Sequence, residues 1–113
     1  MSGTDVNEVH LVGRVTAVGE VTELPSGDLV HSLRVTVRRV GRGNGRTVVD
    51  AVDVACWSAA TRRVAGRLVV QDRVEVTGAL RRRFFRTGGG AASRYEVEAH
   101  RIRRAPSTGG PSG

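Results

Sequence analysis

Lysine is missing from this chain of 113 residues, so all eighteen of its basic side chains are arginine. A single cysteine, Cys56, rules out an intrachain disulfide. Aromatics are scarce, with one Trp, one Tyr and two Phe, so each has to be placed individually. No apolar run approaches the ~20 residues that a membrane-spanning helix needs. The opening Met1-Ser2-Gly3-Thr4-Asp5 lacks the basic-then-apolar order of a secretory signal. These absences lead us to expect a soluble cytoplasmic protein with no membrane partner.

Motifs for catalysis and metal binding are lacking as well. His10, His31 and His100 are far apart and have no companion cysteines at ligand spacing. Asp50 and Asp53 are two carboxylates with no acid/base partner. Gly88-Gly89-Gly90 lacks the lysine and Ser/Thr of a phosphate-binding loop. Cys56 has a core phase and no convincing base, which reads as a buried thiol. We therefore expect no enzyme activity, no cofactor, no metal and no small-molecule substrate.

What the chain does have is positive charge, with a formal net of +7. Such an excess favours polyanionic partners and says little about fold. Arginine adds a planar fork for phosphates and a flat face for stacking on bases. Genome base composition could account for arginine over lysine, but not for the excess itself. The length fits one domain with one modest core.

Period-two alternation, the mark of strands, runs through most of the chain. Val9, Leu11 and Val15 alternate with His10, Val12 and Arg14, and Gly13 marks a bulge or bend within that run. Val21 to Leu24 leads into Pro25-Ser26-Gly27-Asp28, a turn. Leu33, Val35 and Val37 form one face of the next strand, with Ser32, Arg34, Thr36 and Arg38 on the other. Gly41 to Arg46 is a basic, glycine-rich loop at a hairpin tip. The returning strand places Val48, Val52, Val54 and Cys56 inward, with Asp50 at the mouth; Ala51, Asp53, Ala55 and Trp57 face outward.

Ser58 can cap a helix over Ala59 to Arg67, with Ala60, Val64 and Leu68 as its apolar stripe. After a turn at Gln71-Asp72, the fourth strand puts Val74, Val76, Gly78 and Leu80 inward. Its outward set is Glu75, Thr77, Ala79, Arg81, Arg83 and Phe85. Thr87 to Ser93 reads as a second loop, and the last strand places Tyr95, Val97 and Ala99 on one face. The order is three strands, a helix, then two strands. It predicts an all-β OB-fold over residues 1–105, a five-stranded, partly open barrel with one helix between strands 3 and 4. Residues 106–113, rich in Pro, Ser and Gly, read as a disordered tail.

Five segments in this order resemble the bacterial single-stranded DNA-binding protein family. Val6-Asn7-Glu8-Val9-His10-Leu11-Val12-Gly13-Arg14-Val15 resembles its first strand, and Leu24-Pro25-Ser26-Gly27 its turn before the second strand. Val54-Ala55-Cys56-Trp57 is similar to the end of its third strand, Arg73 to Arg81 to its fourth, and Arg94 to Ala99 to its last. The resemblance spans roughly residues 6 to 103. It implies sequence-tolerant binding of single-stranded DNA in replication, repair or recombination, in the nucleoid, by a homo-oligomer, tetramer or dimer. It also implies pairing through the first strand, with His10 at that contact.

There are departures. The family's tryptophan in the first long loop has no counterpart near Gly41, and another aromatic position corresponds to Ala51. Gly110-Pro111-Ser112-Gly113 replaces the acidic tip that recruits partner proteins in the family. That suits a specialised paralogue, a phage or plasmid version, or a truncated chain.

Single strands are held by phosphate attraction along a basic groove and by bases stacking on aromatic faces. For stacking, Trp57 and Phe85 have the outward phase; the alternative for Trp57 is a core position under the helix. Phe84 has the opposite phase and is expected in the core; Tyr95 has two readings, packing inside or reaching the groove, of which packing is the expectation. For phosphates, Arg34 and Arg38 share the outward face of the second strand, and Arg39, Arg42 and Arg46 line the long loop. Arg81, Arg83 and Arg86 surround Phe85, while Arg82 has the inward phase. Two rival readings keep the fold: a protein–protein adaptor of the replication or primosome machinery, and an RNA-binding module.

Overall fold

The computed structural model describes residues 3–39 and 48–106. Arg42, Arg46 and nearly all of the expected tail lie outside the described residues. Five strands and one helix follow in the expected order: β1 (Val9–Glu23), β2 (Leu29–Arg38), β3 (Val49–Cys56), α1 (Ala59–Ala65), β4 (Arg73–Thr87) and β5 (Gly90–Arg104). The strands close into a barrel in the order β1-β2-β3-β5-β4. Closure between β3 and β5 rests on a short parallel seam, Val54 beside Val97 and Ala55 beside Glu98.

β1 is long enough to serve both sides of the barrel. Its first residues, Val9 to Arg14, pair with β4, and from Arg14 onward it pairs with β2. The strand has to bend between these two duties. At Gly13 a Cβ would lie 2.5 Å from the Thr36 carbonyl oxygen, so only glycine lets the two backbones meet there. Register shifts after Val15 and after Val18 complete the bend. His31, buried on β2, bridges the second shift through its Nε2, 2.8 Å from the Gly19 carbonyl oxygen.

The core follows from the alternation. Val15, Leu33, Val35, Val54, Cys56, Val74, Val76 and Val97 are nearly or wholly buried, with Ile102 from β5. Each such side chain contributes roughly 1.5–3 kcal/mol by leaving water. Ala55, expected to face outward, is buried as well, because β5 lies against it at the seam. Val48 is exposed rather than inward, since it precedes the first paired residue of β3.

The helix is shorter than expected and turned about its axis. It ends at Ala65, and the side chains it buries are Thr61, Ala65 and, just beyond it, Leu68; Ala60 faces solvent. Ser58 caps it, with Oγ accepting from the Thr61 amide at 3.1 Å. Thr61 faces inward because its hydroxyl finds partners there, the Ser58 hydroxyl at 2.8 Å and the Ser58 carbonyl at 3.1 Å. A period of four alone could not show that a satisfied threonine would displace an alanine from the buried stripe.

The connection into β4 is pinned to β1 by two backbone bonds, Gln71 N–H to the Val15 carbonyl and Val15 N–H to the Asp72 carbonyl, each 2.8 Å. Gln71 takes φ +88° to make both possible. At the far end, β4 and β5 form a long hairpin closed by Gly88-Gly89, with Thr87 opposite Gly90. The expected loop from Thr87 to Ser93 therefore shrinks to the Gly88-Gly89 turn, and the rest of it is strand.

Candidate nucleic-acid interface

The β4–β5 hairpin runs past the end of the barrel, and this decides where the aromatic side chains go. Inside the barrel, the inward-phase residues Gly78, Val97 and Ala99 are buried. Farther along the ribbon there is no opposite wall to cover the same face. Leu80 is 45% exposed, Tyr95 59% and Phe84 69%. The expectation that Phe84 and Tyr95 belong to the core, and that Leu80 points inward, is thus corrected: their phase is that of the core, but the core has ended.

The outer face joins β2, β3, β5 and β4. Arg34 lies on β2 against Asp53 of β3, Nε to Oδ1 3.3 Å. Arg81 meets Glu98, Nε to Oε1 2.8 Å, and Arg83 meets the buried Glu96, Nη1 to Oε2 3.3 Å. Trp57, one residue beyond β3, is partly exposed, and the Arg83 guanidinium sits 5.0 Å from its ring centroid. Phe85, 39% exposed, carries Arg94 at 5.4 Å in the same way. Such exposed cation–ring contacts are worth about 0.5–1 kcal/mol each, enough to orient a ring.

Trp57 is held from behind as well. Arg62 donates from Nη1 to the Trp57 carbonyl at 2.6 Å. Gly27, Asp28, Leu29, Trp57 and Arg62 line a shallow cavity of about 410 Å³ between the β1–β2 turn and the helix. The core alternative for Trp57 does not hold, because the ring lies at the surface beside this cavity.

The candidate arginines sort into distinct settings. Arg34, Arg38, Arg81 and Arg83 share the outer face with Trp57 and Phe85, and Arg42 and Arg46 are outside the described residues. Arg86 falls on the opposite face of the hairpin, two residues beyond Phe84. Arg39 grips Asp50 with Nε and Nη2 at 3.0 and 2.9 Å, and this hydrogen bonding holds the Asp50 carboxyl below its ordinary range. Arg38 and Arg86 make no ion pair among the described residues.

The pairs at Arg34 and Arg81 are more than half exposed on the arginine side. Exposed pairs contribute about 0–1 kcal/mol, so an arriving phosphate can displace the carboxylate cheaply. Arg83 differs, because Glu96 is buried and requires its cation. Its guanidinium serves as a fixed shelf for Trp57.

Arg62 and Arg94 escaped the sequence reading. The register explains Arg94, which stands directly opposite Arg83 and so shares the face of Phe85. Arg62 carried no readable signal, since its partner is a backbone carbonyl. Among the described residues no cluster of three metal-binding side chains occurs, and no helix is long and apolar enough to cross a membrane.

Two solved structures share this architecture. One is a Plasmodium falciparum SSB in complex with single-stranded DNA, 18% identical, covering 91% of this chain and 96% of that one, with a TM-score of 0.71. The other is a small single-stranded DNA-binding protein from Streptomyces coelicolor, 20% identical, covering 90% and 96%, with a TM-score of 0.67. At those identities the likeness establishes the OB-fold. No curated protein sequence matches the chain. The model of the single-strand binding protein family matches residues 6–105, and the chain belongs to that family.

Proposed function

We propose that this protein binds single-stranded DNA with little sequence preference, through the outer face of β2, β3, β4 and β5. One observation carries the assignment of the face: Trp57 and Phe85 are both accessible there, each backed by a guanidinium that fixes its ring. Every base has a π-face, so stacking on such rings tolerates any sequence and contributes about 1–3 kcal/mol per base. Arg34, Arg38 and Arg81 supply phosphate contacts, while Arg42 and Arg46 lie outside the described residues.

Membership of the family supports reading the protein as a binder rather than a catalyst. Its single thiol is sealed in the core, where burial pushes Cys56 up to about 11, far from the thiolate that a nucleophile needs. Work in replication, repair or recombination, in the nucleoid, as a homo-oligomer, fits membership of the family.

The test is a titration of Trp57 fluorescence with oligo-dT, oligo-dA, the matching RNA and duplex DNA at several salt concentrations. Quenching by both DNA single strands is expected, with affinity falling steeply as salt rises. Tighter binding to duplex overturns the reading. A strong preference for RNA favours the RNA-binding module instead, and negligible affinity for all four favours the adaptor.

A further inference from the structure

Resting on that reading, we infer that the opposite face of the β4–β5 hairpin is a second surface for unpaired nucleotides, built on Phe84, Arg82 and Tyr95. The register places Arg82 across from Tyr95 and Phe84 across from Ser93. The Arg82 guanidinium lies 5.1 Å from the Phe84 ring centroid and 5.7 Å from that of Tyr95. Arg82 Nε donates to the Ser93 hydroxyl at 3.2 Å, which fixes the cation between the two rings. The result is a ring, a guanidinium and a second ring side by side, and both rings are more than half exposed.

Charge identifies the occupant. On the outer face of this hairpin three arginines, Arg81, Arg83 and Arg94, stand among two glutamates, Glu96 and Glu98. The second face carries Arg82 and Arg86 across Ala91, Ser93 and Tyr95, and none of the hairpin residues on this face is a carboxylate. A surface that pairs exposed aromatic rings with uncompensated guanidinium groups suits a flexible polyanion with π-faces, which is a description of single-stranded nucleic acid. An apolar protein segment would have to leave both cations uncompensated. The folding logic agrees, because these residues have a core phase but lie beyond the core, and the exposure of Phe84 and Tyr95 needs a reason.

The test uses the full chain and fluorescein-labelled oligo-dT. Phe84→Ala and Tyr95→Ala are each expected to weaken binding by about five- to a hundredfold, with unchanged melting temperature because both side chains are exposed. Arg86→Ala should lower the slope of log affinity against log salt by about one. In a second protein carrying Trp57→Phe and Phe84→Trp, the single indole at position 84 should be quenched by oligo-dT.

If Phe84→Ala and Tyr95→Ala bind within twofold of the parent, and the indole at 84 keeps its emission, while Trp57→Ala weakens binding, the second surface is refuted and DNA binding stands. If Phe84→Ala lowers the mass measured by light scattering without changing affinity per subunit, the face belongs to a second copy of the chain and the inference fails. A parent protein with no affinity for oligo-dT removes both readings.

Discussion

The side-chain amide of Asn7 occupies the place of a missing strand residue beside Leu80. Its Nδ2 donates to the Leu80 carbonyl and its Oδ1 accepts from the Leu80 amide, both at 2.8 Å. Backbone pairing between β1 and β4 stops at Val9 and Gly78, so Asn7 adds one more rung using only its side chain. An amide is the one neutral group that offers donor and acceptor in that geometry. Asn7→Ala should cost about 1–2 kcal/mol, two hydrogen bonds at the lower end of their usual worth because the site is exposed. Asn7→Asp should not restore the loss, since a carboxylate repels the Leu80 carbonyl. Urea denaturation of the three proteins measures this directly.

Gly78 is a harder constraint. A Cβ there would lie 1.9 Å from the Glu98 carbonyl oxygen and 2.9 Å from its carbon, both backbone atoms of the neighbouring strand. Gly78→Ala can be accommodated only by prising β4 from β5 next to their register shift. A loss of about 3 kcal/mol or more is expected, at or beyond the upper end of ordinary overpacking. Gly88→Ala is the control, as its added methyl group meets nothing within 4 Å. Melting temperatures that fall equally for the two would contradict the packing account.

Cys56 gives a pH dependence whose sign is fixed. Burial raises the thiol to about 11 from an ordinary value of 9.0, partly offset by a hydrogen bond with Thr61. The folded state therefore keeps its proton over a range in which the unfolded chain releases it. Stability from this group is fully present below pH ~9 and is lost as pH rises toward ~11. Cys56→Ser should flatten that part of the stability curve. In the parent, a thiol reagent should react only on unfolding, and rapid modification of the native protein would show that the site is open.

Binding should separate the roles of the outer-face residues. Trp57→Ala and Phe85→Ala are each expected to lose about 1–3 kcal/mol of affinity for oligo-dT. Arg38→Ala should reduce the salt slope by about one while affecting all sequences alike. Arg83→Ala should behave differently, lowering stability by about 1–2 kcal/mol because it leaves the buried Glu96 without its cation. Its figure is kept small because the arginine itself is partly exposed. Fluorescence titrations paired with thermal melts distinguish the two classes.

Most of the strand faces were readable because alternation is local. Leu33, Val35, Val54, Val74, Val76 and Val97 are buried where their phase puts them. The five segments that resemble the family were legible for the same reason, each being a short local pattern, four on or at the end of a strand and one in the β1–β2 turn. The helix face was readable in part: Leu68 is buried and Val64 packs on the core as expected, but Thr61, a hydroxyl with two partners, is buried where Ala60 was expected.

The sequence by itself determined the number and order of the strands, the face each residue takes along them, and an excess of arginine that suits a polyanion. Only the tertiary structure decided which of those faces meets water. Phase is a property of the pleat, whereas burial depends on whether another wall stands opposite, and past the barrel's rim none does. Phe84 and Tyr95 therefore lie exposed with the phase of the core, and Ala55 lies buried with the phase of the surface. Arginine partners on the sheet were settled in the same way, by registers such as Arg34 against Asp53 that join residues of different strands.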